Sequence, residues 1–312
     1  MFGAARLSLF LANPAAPPSA TGYGYWMGGY ADPRISTTRK YNWPNEVVSA
    51  GTSLGQDLDQ LCGLSNTVNG HSFGGSNGNS LNLHLIFNCG TEARTTGTSL
   101  PVTRRDQHAG TSTSTFAYLM GGYNDSSGYL NSIQKYQHSN DTYPTFTTTL
   151  WAGTVWTSTV AHNNTTLAVV VGGYNGSNVC NRYKVFTFSS ETVSSDLTLS
   201  PEQGQSSVCG SQEVGYLCSG FTTGGTMTTT VQKFTFATQA WTTGTSLSYS
   251  ARYGDGAAND VYGVIGGAYA GSFSIATAQT KITFATDSYS TASQIYSVNT
   301  DTPGAWSSSQ IQ

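Results

Sequence analysis

An apolar run ending in a doublet of small residues recurs six times in this chain. The copies are YWMGG (25–29), HSFGG (71–75), YLMGG (118–122), VVVGG (169–173), YLCSG (216–220) and GVIGG (263–267). Their first small residues, Gly28, Gly74, Gly121, Gly172, Ser219 and Gly266, follow one another at intervals of 46 to 51 residues. Other columns keep step. An aromatic-rich one runs Tyr41, Phe87, Tyr136, Phe186, Phe234 and Ile282, and two residues further on stand Trp43, Cys89, His138, Phe188, Phe236 and Phe284. Seven residues beyond the first column come Val48, Arg94, Tyr143, Val193, Trp241 and Tyr289. Thirteen beyond it fall Leu54, Leu100, Leu199, Leu247 and Ile295, with Leu150 displaced by one. A unit of this length cannot bury its own apolar face, so the units must pack on one another.

Within each unit, short runs rich in β-branched and aromatic residues are bounded by Gly, Asn, Asp and Ser, which marks strands and turns. A hairpin leads to the doublet, a third strand carries the aromatic column, and a fourth follows around Trp241 and its counterparts. Four antiparallel strands in about 48 residues make a propeller blade. The hexapeptide TTGTSL, found at 95–100 and again at 242–247, falls at the exit from the outermost strand of the second and fifth units. The expected fold is therefore all-β, a six-bladed propeller over residues 21–312, preceded by an arm and Pro-rich spacer at 1–20. The first doublet strand has only ANPAAPPSA upstream, poor strand material. The chain ends on an innermost-strand pattern without a successor, so residues 304–312 should complete blade one beside residues 23–30.

A doublet closing a strand, then an aromatic, then a second aromatic seven residues later resembles the kelch repeat. RRDQHAG (104–110) and ARYGDGAA (251–258) are similar to the Arg-containing stretch that opens the kelch innermost strand. Val48 and Arg94 depart from the pattern at the second aromatic. Kelch-like folds host enzymes, adaptors and glycan-binding proteins, so the resemblance leaves function to individual residues.

Charged residues make up 9% of the chain, well under the usual quarter, while Thr, Ser, Asn and 36 glycines replace them. A net charge of −3 gives no footprint for nucleic acid. No apolar run approaches the length of a membrane span. The apolar stretch LSLFLA near the N-terminus is shorter than a signal-peptide core. The five cysteines include no CxxC pair and read as buried free thiols.

The sequence shows no recognisable catalytic constellation, and neither a cofactor nor a metal is expected. The five histidines form no HxH or HExxH pair, and the sialidase Asp box and the Walker motif are both missing. Arg105, His108, Arg252 and Asp255 stand at inner-strand starts and are candidates for a channel mouth. Tyr30, Tyr123, Tyr174, Phe221 and Tyr269 follow the doublets and are candidates for contact with a glycan or a protein partner. The five lysines, each one or two residues before the aromatic column, are expected to face solvent. Composition, a short apolar arm (Phe2, Leu7, Leu9, Phe10, Leu11) and a compact ring resemble the propellers that decorate tailed-bacteriophage particles. That resemblance implies a non-enzymatic virion protein, docked on other virion structural proteins and meeting host-surface glycans. The alternative is a secreted kelch-type protein that binds or modifies carbohydrate in the manner of a mutarotase.

Overall fold

The computed structural model describes residues 22–66, 68–105, 110–151, 158–159, 165–173, 178–269, 275–276, 279–296 and 303–307. Every regular element among them is a β-strand, and the strands form six antiparallel blades. From innermost to outermost strand, blade 1 is Gly304–Ser307, Tyr23–Met27, Thr38–Asn42 and Val47–Ala50. Blade 2 is Asp59–Ser65, Asn69–Ser76, His84–Asn88 and Arg94–Thr96. Blade 3 is Gly110–Ser112, Phe116–Met120 and Ile133–Gln137, its fourth strand reduced to the bridges Gln137–Thr142 and Ser132–Thr149. Blade 4 is Ser158–Thr159, Leu167–Val171 and Arg182–Thr187, with a broken edge of Thr192–Val193 and Leu197–Thr198. Blade 5 is Ser207–Gly210, Val214–Phe221, Met227–Thr235 and Ala240–Thr243. Blade 6 is Asp255–Ala258, Tyr262–Gly266, Thr280–Thr283 and Ser288–Thr291. Small extra hairpins rise from blade 3 (Tyr123–Asn124 with Gly128–Tyr129) and blade 6 (Ala268–Tyr269 with Ile275–Ala276).

Burial changes outward along each blade, and the sequence pattern changes with it. The second strands, such as LAVVV, are buried along almost their whole length because neighbouring blades cover both faces. The third strands alternate, and the fourth are mostly exposed. The apolar clusters lie between blades. Trp26, Tyr41 and Trp43 of blade 1 pack on Val264 and Tyr262 of blade 6, and Tyr25 and Met27 pack on Leu61, Leu85 and Phe87 of blade 2.

The doublet exists because the chain must turn where the next blade's connector passes. Gly29, Gly75 and Gly220 donate their N–H groups to the carbonyls of Leu58, Arg104 and Ala251, each in that connector. A Cβ at Gly28 would lie 2.4 Å from the Leu58 carbonyl oxygen. Ser219 tolerates its φ of 58° because that left-handed well is open, at a cost, to ordinary residues. Its Oγ also accepts the Ala251 N–H at 2.6 Å. In the sixth repeat the left-handed residue is Gly267, one later than the doublet's first residue at Gly266.

Ring closure follows the expected route. Gly304–Ser307 pairs antiparallel with Gly24–Met27, Met27 opposite Gly304 and Gly24 opposite Ser307. Asp255, in the inner strand of blade 6, accepts the Ala305 N–H at 2.8 Å and its neighbour Gly256's N–H at 2.8 Å. The Trp26 indole donates to the Asp255 carbonyl, and Tyr296 donates to the Gly28 carbonyl at 2.9 Å. Inner strands meet almost backbone to backbone. A Cβ on Gly63 would lie 2.4 Å from the Ala305 oxygen, and one on Gly256 would lie 2.2 Å from the Val208 oxygen.

The lysines do not simply face solvent. Lys40, Lys135, Lys233 and Lys281 each reach across a seam to an acid at the turn between the third and fourth strands of the next blade. The pairs are Lys40–Glu92, Lys135–Glu191, Lys233–Asp287 and Lys281–Glu46, the last one bridging blade 6 to blade 1. All four acids sit at positive φ, between 49° and 57°, which throws their side chains back across the seam. A tyrosine directly opposite the lysine adds a second donor in two seams, Tyr118 to Glu191 at 2.8 Å and Tyr216 to Asp287. The acid's backbone carbonyl is held as well, by Thr52 on Glu92, Thr148 on Glu191 and Ser293 on Glu46. Thr98, the fourth residue of the first TTGTSL, occupies that place and holds the Asp141 carboxylate instead. In the second blade the hexapeptide is thus a strap that grips the next blade.

Two seams depart from this scheme. Between blades 4 and 5 the four positions carry Val169, Val185, Leu197 and Gln239, and the contact is apolar, with Tyr183 edge-on to Trp241. Lys184 is displaced by one and pairs with Asp196 of its own blade. Between blades 2 and 3, histidine replaces the tyrosine and isoleucine the lysine. Partly exposed ion pairs contribute about 1 kcal/mol or less each. A Lys233→Met/Asp287→Asn double-mutant cycle should therefore return a coupling of about 0.5–1 kcal/mol in urea titrations. A coupling of zero would reduce the pair to a crowded surface contact.

Candidate functional site

The second strand of every blade runs toward the same face of the ring, and the fourth strand returns to it. The loops after the doublets and the connectors between blades therefore share that face. Three arginines there stack on aromatic rings. Arg34 lies over Tyr30 at 5.7 Å, Arg105 over Tyr123 at 5.1 Å, and Arg252 over Phe221 at 4.8 Å and over Tyr253 at 4.6 Å. Each stack joins a guanidinium, weakly hydrated and always charged, to a π face.

The blade 3 site is the most elaborated. Arg105 and Tyr123 exchange both backbone hydrogen bonds at 2.9 Å, which fixes the guanidinium over the ring. Tyr129, across the short hairpin, stands edge-on to Tyr123 with ring centres 5.5 Å apart and is 38% exposed. Asp125 accepts from Arg105 Nη2 at 2.8 Å and from the Ser80 N–H, and that backbone bond holds its carboxyl below the ordinary carboxylate range. Buried Asn124 accepts from Ser126 and Ser127 N–H and donates to Thr103, so the hairpin tip is tied down. A flat ring beside a fixed donor–acceptor pair is equipped to stack on a sugar and to hydrogen-bond its hydroxyls.

In blade 1, Arg34 Nε donates to Asp59 at 2.8 Å, and Tyr30 donates to Asp32 at 3.3 Å. Burial pushes the Asp59 carboxyl up, against the pull of Arg34. In blade 5, Arg252 Nη1 approaches Gln205 Oε1 at 3.4 Å. The neighbouring arginine of the RRDQHAG stretch, Arg104, turns inward and is fully buried. It donates to the Gly121 carbonyl at 2.8 Å and to Ser132 Oγ at 3.0 Å, bracing the third doublet.

Of the expected site residues, the structure unites Arg105 with Tyr123 and Arg252 with Phe221. The connectors carrying Arg105 and Arg252 are three blades apart, so the two belong to separate stacks. Asp255 is buried in the ring wall against Ala305, and burial raises its carboxyl to about 8. Tyr30 lies on the exposed loop face, and Tyr269 lies in the blade 6 hairpin. His108, Tyr174 and the arm residues Phe2, Leu7, Leu9, Phe10 and Leu11 lie outside the described residues. Arg34, Asp59, Asp125, Tyr129 and Tyr253 were not singled out by sequence. Only the Tyr30–Arg34 spacing of four residues offered a local cue, since Arg252 is 31 residues from Phe221.

Among the described residues no three of His, Cys, Asp and Glu are arranged to hold a metal ion. No helix among them is long and apolar enough to cross a membrane. The cysteines carry free thiols, three of them buried. No protein-family model matches the chain, and no curated protein matches it. The fold and loop face define its class, a six-bladed β-propeller with arginine-backed aromatics around one rim.

Proposed function

We propose that this chain is a structural and adhesion module of a particle such as a tailed-bacteriophage virion. Residues 1–20 dock it on a neighbouring virion protein, and the loop face meets host-surface glycan. The observation that carries the reading is the set of three arginine–aromatic stacks on a single face, one of them raised on a tied-down hairpin. The kelch-like repeat, the scarcity of charge and the apolar arm support it. A secreted kelch-type carbohydrate-binding protein would use the same rim, and the Arg105–Asp125 pair beside Tyr129 favours sugar as its ligand as well.

The test has two arms. Wild-type protein and the Tyr129→Ala and Arg105→Ala variants are passed over a panel of immobilised bacterial surface glycans. Retention is expected to fall at least about tenfold in the variants, the scale of losing one stacked ring or charge-assisted bond. A chain lacking residues 2–20 should still bind glycan and should no longer co-purify with particles. Glycan retention unchanged in both variants would remove the rim from the account. Particle incorporation without the arm would remove the docking role.

A further inference from the structure

The seam between blades 2 and 3 replaces the Lys–Tyr–acid grip with imidazoles. His71 stands in the second strand of blade 2 where Tyr25, Tyr118 and Tyr216 stand in blades 1, 3 and 5, and Ile86 opposite it takes the lysine position. His84 opens the third strand of blade 2, and His138 follows the third strand of blade 3. The rings touch. His71 Nδ1 and His84 Nε2 are 3.0 Å apart, and the His71 and His138 ring centres are 4.9 Å apart. His71 and His84 are buried, stacked on Phe73 and edge-on to Tyr136.

The charged and titratable groups around this cluster are few. Asp141, from the next blade's turn, has Oδ1 at 3.6 Å from His84 Nδ1, but its other oxygen is already held by Thr98. Tyr136 and Tyr143 are neutral phenols. Arg104 interacts with Tyr143. One half-committed carboxylate therefore confronts three imidazoles. With both His71 and His84 protonated, neither nitrogen in the bond between them could accept.

We infer that the blade 2–blade 3 seam is an acid-operated joint of the ring, closed while the three imidazoles are neutral and driven apart when they take up protons. Burial and the neighbouring imidazoles push His71 well below its ordinary range, and burial brings His84 and His138 to about 4. A group whose pKa is lower folded than unfolded stabilises the fold fully above its unfolded value, near 6.5, and loses that contribution as pH falls through the folded value. The joint therefore weakens from about pH 6.5 downward and opens toward pH 4. The other polar seams use Lys–carboxylate pairs and carry no imidazole among the described residues.

The experiment is hydrogen–deuterium exchange of the full chain at pH 7.5 and 4.5, corrected for intrinsic exchange, with His71→Phe/His138→Phe as comparison. Phenylalanine keeps ring stacking and cannot titrate. Acid should lower protection at least tenfold in residues 69–76, 84–88 and 133–137, and leave 262–266 and 280–283 within twofold. The double variant, which keeps His84 alone, should lose most of the acid response. Uniform loss around the ring, or an unchanged response in the variant, overturns the inference. Should the variant fold poorly, NMR titration of the wild-type imidazoles decides. Three rings still neutral at pH 5.5 uphold the joint, and three rings charged at pH 6 in folded protein overturn it.

Discussion

A chain truncated before Gly304 is expected to lose cooperative folding. The deletion strips blade 1 of its innermost strand and leaves Gly24–Met27 as an open edge, a template for aggregation. It also removes the Ala305 N–H from Asp255 and the backbone against which Gly63 is packed. The expected loss, more than about 5 kcal/mol, is comparable with the whole stability of an ordinary domain. Thermal melts followed by circular dichroism, with size-exclusion chromatography, would show it. A truncated monomer melting within a few degrees of the full chain would mean that the ring does not depend on this closure. A finer probe is Asp255, whose acceptor oxygens serve two buried N–H groups. Asp255→Leu orphans both and should cost about 2–5 kcal/mol. Because burial raises this carboxyl to about 8 while the unfolded value is near 4, the folded state retains a proton that the unfolded state releases. Its contribution is therefore fully present below about pH 4 and falls as pH rises toward 8. Asp255→Asn should flatten that slope while keeping one of the two N–H contacts, since its amide NH2 cannot accept the other.

The second large effect is expected at Gly256. A Cβ there would stand 2.2 Å from the Val208 oxygen in the adjacent blade and 3.1 Å from Ile265 Cγ2 in its own. Neither can retreat, because Val208 and Ile265 are themselves buried. Gly256→Val must therefore push two inner strands apart, at a cost of about 4 kcal/mol. Gly224→Val is the control, since a Cβ at that loop position meets nothing within 4 Å. Equal urea midpoints for the two variants would contradict the backbone-to-backbone packing of the inner strands.

Architecture was legible in this sequence because it is written in repetition. Six doublets, an aromatic column and an apolar residue leaving each outer strand are constraints imposed six times over, and chance cannot keep them in register. Even the closing strand could be argued from an unpaired pattern at each end of the chain. The seam chemistry was harder to read. The acids Glu46, Glu92, Glu191 and Asp287 do form a column, but only the fold shows that each answers a lysine about 50 residues earlier or at the opposite end of the chain. The lysines looked solvent-facing because strand alternation shows which face a residue lies on but not what stands opposite. The sixth doublet slipped by one because Gly266 and Gly267 are chemically identical, and only backbone dihedrals distinguish them. The rim was half visible. Loop aromatics declare themselves after each doublet, whereas Arg105 and Arg252 reach theirs from connectors 18 and 31 residues away, and Arg34 alone is a near neighbour of its ring.

The shared blade also dictates an order of events. Blades 2 to 6 each take their strands from one continuous stretch, so on a ribosome each can be complete before the next is made. Blade 1 cannot. Trp26 waits for Ala305, some 280 residues later, before its strand has a partner on the inner side. Until then the nascent chain carries a buried-type strand, Tyr23–Met27, with one edge bare. Such long-range pairing is entropically late and slow. The final step of folding is thus the meeting of the two ends of the ring, and mutations in that blade should slow refolding more than those elsewhere.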